Sequence, residues 1–213
     1  MLETNNNIII VDDNEEHLHY LANVFCKFGI GCRTFLYDEF DQIPAPLDNV
    51  KLAFFDIILT DAGDENAQMA VLRDALKSYI SLNNKAFALV LWTNKPDYKE
   101  RFIEFVSRSD DKEEVPKPLC IEVIDKNDFL DHEEEIQQRL SELMEEKIIK
   151  CLFSFDSELK QASEKSLNEV LELIDFPDEW GRNEQFVENI KAVFALIAIE
   201  TFGNKRGKKE PDL

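Results

Sequence analysis

The chain has 213 residues, 44% of them hydrophobic and 16 of them Phe, enough apolar material for one sizeable core and far from a disordered composition. Forty-four acids against 24 bases leave a net charge of -20, which repels polyanions over most of the surface and disfavours nucleic acid as a direct partner. No window approaches ~18 uninterrupted apolar residues and the start, MLETNNN, lacks a signal peptide's basic and apolar regions, so a cytoplasmic protein without a membrane span is expected.

Ile8 to Val11 is a β-branched run without polar alternation, the pattern of a strand buried on both faces. It ends in Asp12 and Asp13. Asn14 can then cap a helix in which Leu18, Leu21, Phe25 and Phe28 recur at helical spacing until Gly29 and Gly31 stop it. Thr34 to Tyr37 reads as a second strand, and Pro44 with Pro46 closes any short helix over Asp38 to Ile43. The third strand lies in Lys51 to Leu59, KLAFFDIIL, which carries one carboxylate, Asp56. Among Phe54, Phe55, Ile57 and Ile58 an ionised Asp loses hydration, so it belongs at the strand's open end with a cation or donors nearby. For an isolated Asp the simpler role, capping a loop or helix, is the commoner one.

Thr60 to Glu65 is a polar loop, and Met69, Leu72, Leu76 and Ile80 mark a helix stopped by Asn83 and Asn84. Ala86 to Trp92 is a fourth strand closing at Thr93 and Asn94. Pro96 opens a helix with Phe102, Ile103 and Val106 facing inward, and Ser107 to Lys117 is a charged loop. Leu119 to Ile124 is the fifth strand, ending at Asp125 and Lys126. Five β-α alternations call for a parallel sheet with helices on both faces and right-handed crossovers. The four cysteines, Cys26, Cys32, Cys120 and Cys151, have no metal-ligand or CxxC spacing and read as reduced packing residues.

Beyond residue 130 the texture changes. The span 131–174 contains neither Gly nor Pro, and Ile136, Leu140, Met144, Ile148, Leu152, Phe155 and Leu159 keep an apolar stripe. One long helix over 131–174, or two broken near Phe153 to Asp156, would satisfy it. A second helix is predicted over 183–203, and its run VFALIAIETF must be covered by the long helix or by another subunit. The expected organisation is a domain over 1–130 and a helical extension over 131–213 that serves in dimerisation or output.

In an open parallel sheet, ligands bind beyond the carboxyl ends of the strands. Asp12 and Asp13, Asp56, Thr93 and Lys126 all fall at such ends. Adjacent carboxylates suit one hard divalent cation such as Mg2+. A carboxylate beside that cation can attack a phosphoryl group and become an acyl phosphate, while a lysine and a threonine hydroxyl bind the transferred oxygens. Taken singly, each residue has a plainer reading: Asp12 or Asp13 as a helix cap, Lys126 as a surface lysine, Thr93 as a strand end. His17, His19 and His132 offer nothing sharper than flanking or capping positions.

From Asn7 to Leu130 the motifs IIIVDDN, AFFDIIL, LVLWTN and VIDKND, in that order, resemble the receiver domains of two-component response regulators. The resemblance implies a flavodoxin-like (βα)5 doubly wound α/β fold of strand order 2-1-3-4-5. It further implies Asp56 as phosphoacceptor, Asp12, Asp13, Asp56 and the Ile58 carbonyl around Mg2+, Lys126 as the phosphoryl-binding lysine, and Thr93 as the switch hydroxyl. The partner would be a histidine kinase or phosphotransfer protein. Phosphorylation would shift a surface between the fourth helix and the fifth strand, with the C-terminal helices joining a homodimer. Any enzymatic activity would be limited to self-phosphorylation and dephosphorylation.

Several residues depart from the family's pattern. The loop ILTDAGDEN lacks the usual proline, Asn94 replaces a small residue, Asn127 replaces a proline that follows the lysine in a cis bond, and Val123 stands where an aromatic switch residue is common. Those departures suit the alternative, a pseudo-receiver that binds a partner without phosphorylation.

Overall fold

The computed structural model describes residues 7–38, 45–60, 63–108, 115–130, 132–172, 188–189 and 191–195. Five strands, β1 (Ile8–Asp12), β2 (Arg33–Leu36), β3 (Leu52–Phe55), β4 (Ala88–Thr93) and β5 (Cys120–Asp125), form one sheet of order 2-1-3-4-5. Every strand pair is parallel. This is the flavodoxin-like α/β arrangement, and the apolar texture of β1, β3 and β4 explains it: each is flanked by two strands and buried along its whole length. The short helix considered over Asp38 to Ile43 falls largely on 39–44, outside the described residues.

The pleat divides the core into two layers. Ile9, Val11, Ala53, Phe55, Leu89 and Leu91 face α2 (Glu65–Tyr79) and α3 (Tyr98–Arg108). Ile8, Ile10, Phe54, Val90, Trp92 and Ile124 face α1 (Glu15–Lys27) and the helices after β5. Asn14 caps α1 by accepting from the Glu16 and His17 N–H groups at 2.9 and 3.3 Å. On α3, Phe102 is buried and Phe105 and Val106 pack partly, whereas Ile103, expected inward, is exposed.

After β5 come a one-turn α4 (Lys126–Phe129), α5 (Glu133–Glu145) and α6 (Lys147–Glu172). The continuous helix expected over 131–174 is therefore interrupted, and at Glu146 rather than near Phe153. Glu146 leaves the helical conformation, with φ -57° and ψ 134°. Packing supplies the reason. In an unbroken helix Ile149 would sit about 240° around the axis from Leu143, away from the core. With the break, Ile136, Leu140, Leu143 and Ile149 are all buried in the α1 layer. The first compact unit accordingly runs to Ser154 and includes α5, beyond the boundary at residue 130 set from the sequence; a second begins at Phe155. Within the second, Phe155 and Leu159 of α6 are 62% and 57% exposed. The predicted helix over 183–203 lies mostly outside the described residues.

The cysteines form no disulfide, but Cys26 and Cys151 are exposed rather than packed, and partial burial pushes the Cys32 thiol up to about 11. No described helix is long and apolar enough to cross a membrane.

Candidate functional site

Four chain segments meet at the carboxyl end of the sheet. Asp12 is the last residue of β1 and fully buried; Asp56 follows β3 and is 6% exposed; Lys126 follows β5 and is 2% exposed. The Lys126 ammonium donates to Asp12 Oδ2 at 2.7 Å and to Asp56 Oδ2 at 2.5 Å, spanning sequence separations of 114 and 70 residues. A lysine this deeply buried needs such partners, because an unpaired ammonium there would lose its hydration with nothing in return. The other oxygens are also engaged. Asp12 Oδ1 accepts from the Asn14 N–H at 3.0 Å, and Asp56 Oδ1 accepts from the Ile58 N–H at 3.1 Å. Each carboxylate is thereby aimed by the turn that follows its own strand.

Asp13 completes the group from the exposed rim. One oxygen each from Asp12, Asp13 and Asp56 lies within 4.8 Å of the others, a donor set of hard oxygens able to hold a metal ion. Three carboxylates so close oppose one another's ionisation. Burial is the main reason that Asp56 is pushed above the ordinary carboxylate range, with the Lys126 charge working against the rise and Asp12 adding to it. Asp13 is also pushed up, by desolvation first and then by Asp56 and Asp12.

Both shifts bind the proton more tightly in the folded chain. Between the ordinary carboxylate value and the raised ones the folded state holds more protons than the unfolded, so stability falls as pH rises through that window. Above it the cost is fully present. In metal-free buffer Asp13→Asn should therefore flatten the decline of melting temperature with rising pH relative to wild type. Parallel slopes for the two proteins would contradict burial and carboxylate repulsion at Asp13 as a source of that decline.

Thr93 ends β4 beside β3 and is fully buried, and its hydroxyl accepts from the Lys95 N–H at 3.1 Å within its own loop. The Lys126–Asn127 bond is trans, there being no cis peptide among the described residues. Asn127 instead donates its N–H to Asp125 Oδ1 at 2.9 Å and its side-chain amide to the same oxygen at 2.9 Å and to the Asn94 carbonyl at 3.5 Å. The two asparagines that depart from the family's pattern thus link the ends of β4 and β5.

One residue at the site escaped the sequence reading. His17 Nδ1 lies 3.2 Å from Lys126 Nζ and 3.4 Å from Asp12 Oδ1. The available signal was its position: Asn14 starts α1 directly after the acidic pair, so the first helical turn stands over the strand end. Read as a helix-face residue alone, His17 has no reason to meet Lys126.

The fold and pocket together define a flavodoxin-like α/β protein with a buried carboxylate-lysine cluster that could bind a metal. No protein-family model matches the chain, and no curated protein does. One solved structure with a match is a fusion carrying a trimeric coiled-coil segment of yeast Spc42, 16% identical, covering 78% of this chain and 99% of that one at a TM-score of 0.32.

Proposed function

We propose that the chain is a receiver-type signalling regulator that accepts a phosphoryl group on Asp56 from a histidine kinase or phosphotransfer protein. The observation that carries this reading is the Lys126 ammonium held between Asp12 and Asp56. It places a fixed positive charge beside the nucleophile, where negative charge gathers on transferring phosphoryl oxygens. An Asp56 carboxylate oxygen attacks phosphorus; the new O–P bond forms as the bond from phosphorus to the donor breaks, and the donor leaves with that electron pair. Asp12, Asp13 and Asp56, with the Ile58 carbonyl, would hold Mg2+. Bound there, Mg2+ offsets the carboxylate charge and the charge of the incoming phosphoryl group.

The acyl phosphate carries roughly -1.5 to -2 where the Asp56 carboxylate carried -1, so an already acidic site gains up to about one further negative charge and has it spread over three oxygens. Lys126 can then leave the Asp56 oxygen for the phosphoryl oxygens, and Thr93 can exchange its loop contact for one of them. Such a rearrangement suits a two-state surface at α3 and β5. The exposed Phe155 and Leu159 of α6 fit a homodimer in which a second copy covers them, in the cytoplasm where such relays operate.

Intact-mass spectrometry after incubation with Mg2+ and acetyl phosphate tests the reading. Wild type should gain the mass of one phosphoryl group, Asp56→Asn should gain none, and light scattering on the same samples should show dimers. An adduct that persists in Asp56→Asn would defeat the assignment of the acceptor. The second reading, a pseudo-receiver that binds a partner without phosphorylation, draws on the Asn127 contact with the Asn94 carbonyl, which ties together the loops beside the pocket. It predicts no adduct in either protein.

A further inference from the structure

The Lys126 ammonium has three protons, and the structure supplies three acceptors. Two are Asp12 Oδ2 and Asp56 Oδ2. The third is His17 Nδ1 at 3.2 Å. An ammonium can only donate, so this contact is a hydrogen bond in the imidazole tautomer that carries its proton on Nε2 and leaves Nδ1 to accept. The same Nδ1 stands 3.4 Å from Asp12 Oδ1, another acceptor, and gains nothing from it in that tautomer.

The three acceptors differ in what happens to them during the proposed reaction, on which this inference rests. Asp56 gives up its charge when it becomes an acyl phosphate, and Asp12 is also a candidate metal ligand. His17 is neither acceptor of the phosphoryl group nor a member of the carboxylate cluster. Its backbone is fixed independently, because its N–H donates to the Asn14 cap at 3.3 Å. Its side chain, carried on the first turn of α1, is 25% exposed.

We propose that His17 is a positioning residue: by accepting the third proton of Lys126 it keeps the ammonium at the pocket while the lysine transfers from Asp56 to the phosphoryl oxygens. Nothing in this role requires His17 to touch the phosphoryl group. It acts through Lys126.

The test uses the full chain, Mg2+ and acetyl phosphate, comparing labelling rates of wild type, His17→Leu and His17→Asn, with Mg2+ affinity measured by calorimetry on each. Leucine keeps the bulk and removes the acceptor, and the rate should drop about tenfold, the scale of one hydrogen bond to a charged group. Asparagine places its carbonyl oxygen where Nδ1 stands and should restore most of the rate. Mg2+ affinity should stay at the wild-type level in both. A leucine variant labelled as fast as wild type would overturn the inference and leave the assignment of Asp56 intact. So would an asparagine variant no faster than leucine, or a leucine variant whose Mg2+ affinity falls along with its rate, which would mark a disturbed start of α1. Wild type that takes no label would remove the Asp56 reading, and the role of His17 with it.

Discussion

Lys126→Met should lower the stability of the Mg2+-free protein by about 3 kcal/mol, the scale of removing one partner from a buried ion pair. Methionine roughly fills the lysine's volume, so the loss reports charge rather than a cavity. Asp12 and Asp56, both almost wholly buried, are left facing each other without a cation. Urea denaturation with a chelator present measures the effect. Added Mg2+ should recover part of it, because a cation at the carboxylates replaces the missing charge. Acetyl phosphate labelling should fall about a hundredfold, as when a preorganised group stabilising transition-state charge is removed. A stability change under about 1 kcal/mol would mean that Lys126 compensates little of the charge at this pair.

The second large effect concerns α5. Leu140→Ala should cost about 2–5 kcal/mol, the range for truncating a fully buried leucine. Leu140 is 1% exposed and packs in the layer that holds Leu21, Phe25 and Trp92. A helix merely appended to a finished domain would give a far smaller value. Leu119→Ala, at a half-exposed position ahead of β5, is the matched control and should stay within about 0.5 kcal/mol. Equal losses in the two variants would show that α5 is not part of the cooperative core.

The strands were legible in the sequence because burial on both faces leaves an unambiguous mark: IIIV, LAFF and ALVLW have no room for a polar alternation. The acidic pair, Asp56 and Lys126 could be proposed as one site because each falls at the carboxyl end of a strand, and the structure brings all four together. Two things were harder to see. The stripe through Ile136 and Leu140 states that a helix face is covered but not by what, so a core helix and a dimer helix look alike at that level. The break at Glu146 uses neither Gly nor Pro and is imposed by the need to bury Ile149. His17 was missed for a related reason, since its partner lies 109 residues away.

The pairing of α1 with α5 constrains how the chain can mature as it is made. By the time Leu130 is synthesised all five strands exist, yet the sheet face bearing Phe54, Val90, Trp92 and Ile124 has only α1 to cover it. Residues 133–149 complete the cover, and at ordinary elongation rates they take about 1–3 s to add. Once the strands have emerged from the ribosomal exit tunnel, and until residues 133–149 follow them out, the nascent protein presents an open apolar sheet face, the kind of surface that holding chaperones bind and that neighbouring chains on a polysome can stick to. Ribosome stalling after β5 has emerged and before Ile149 has emerged would therefore be more hazardous to this protein than stalling once Ile149 is clear of the tunnel.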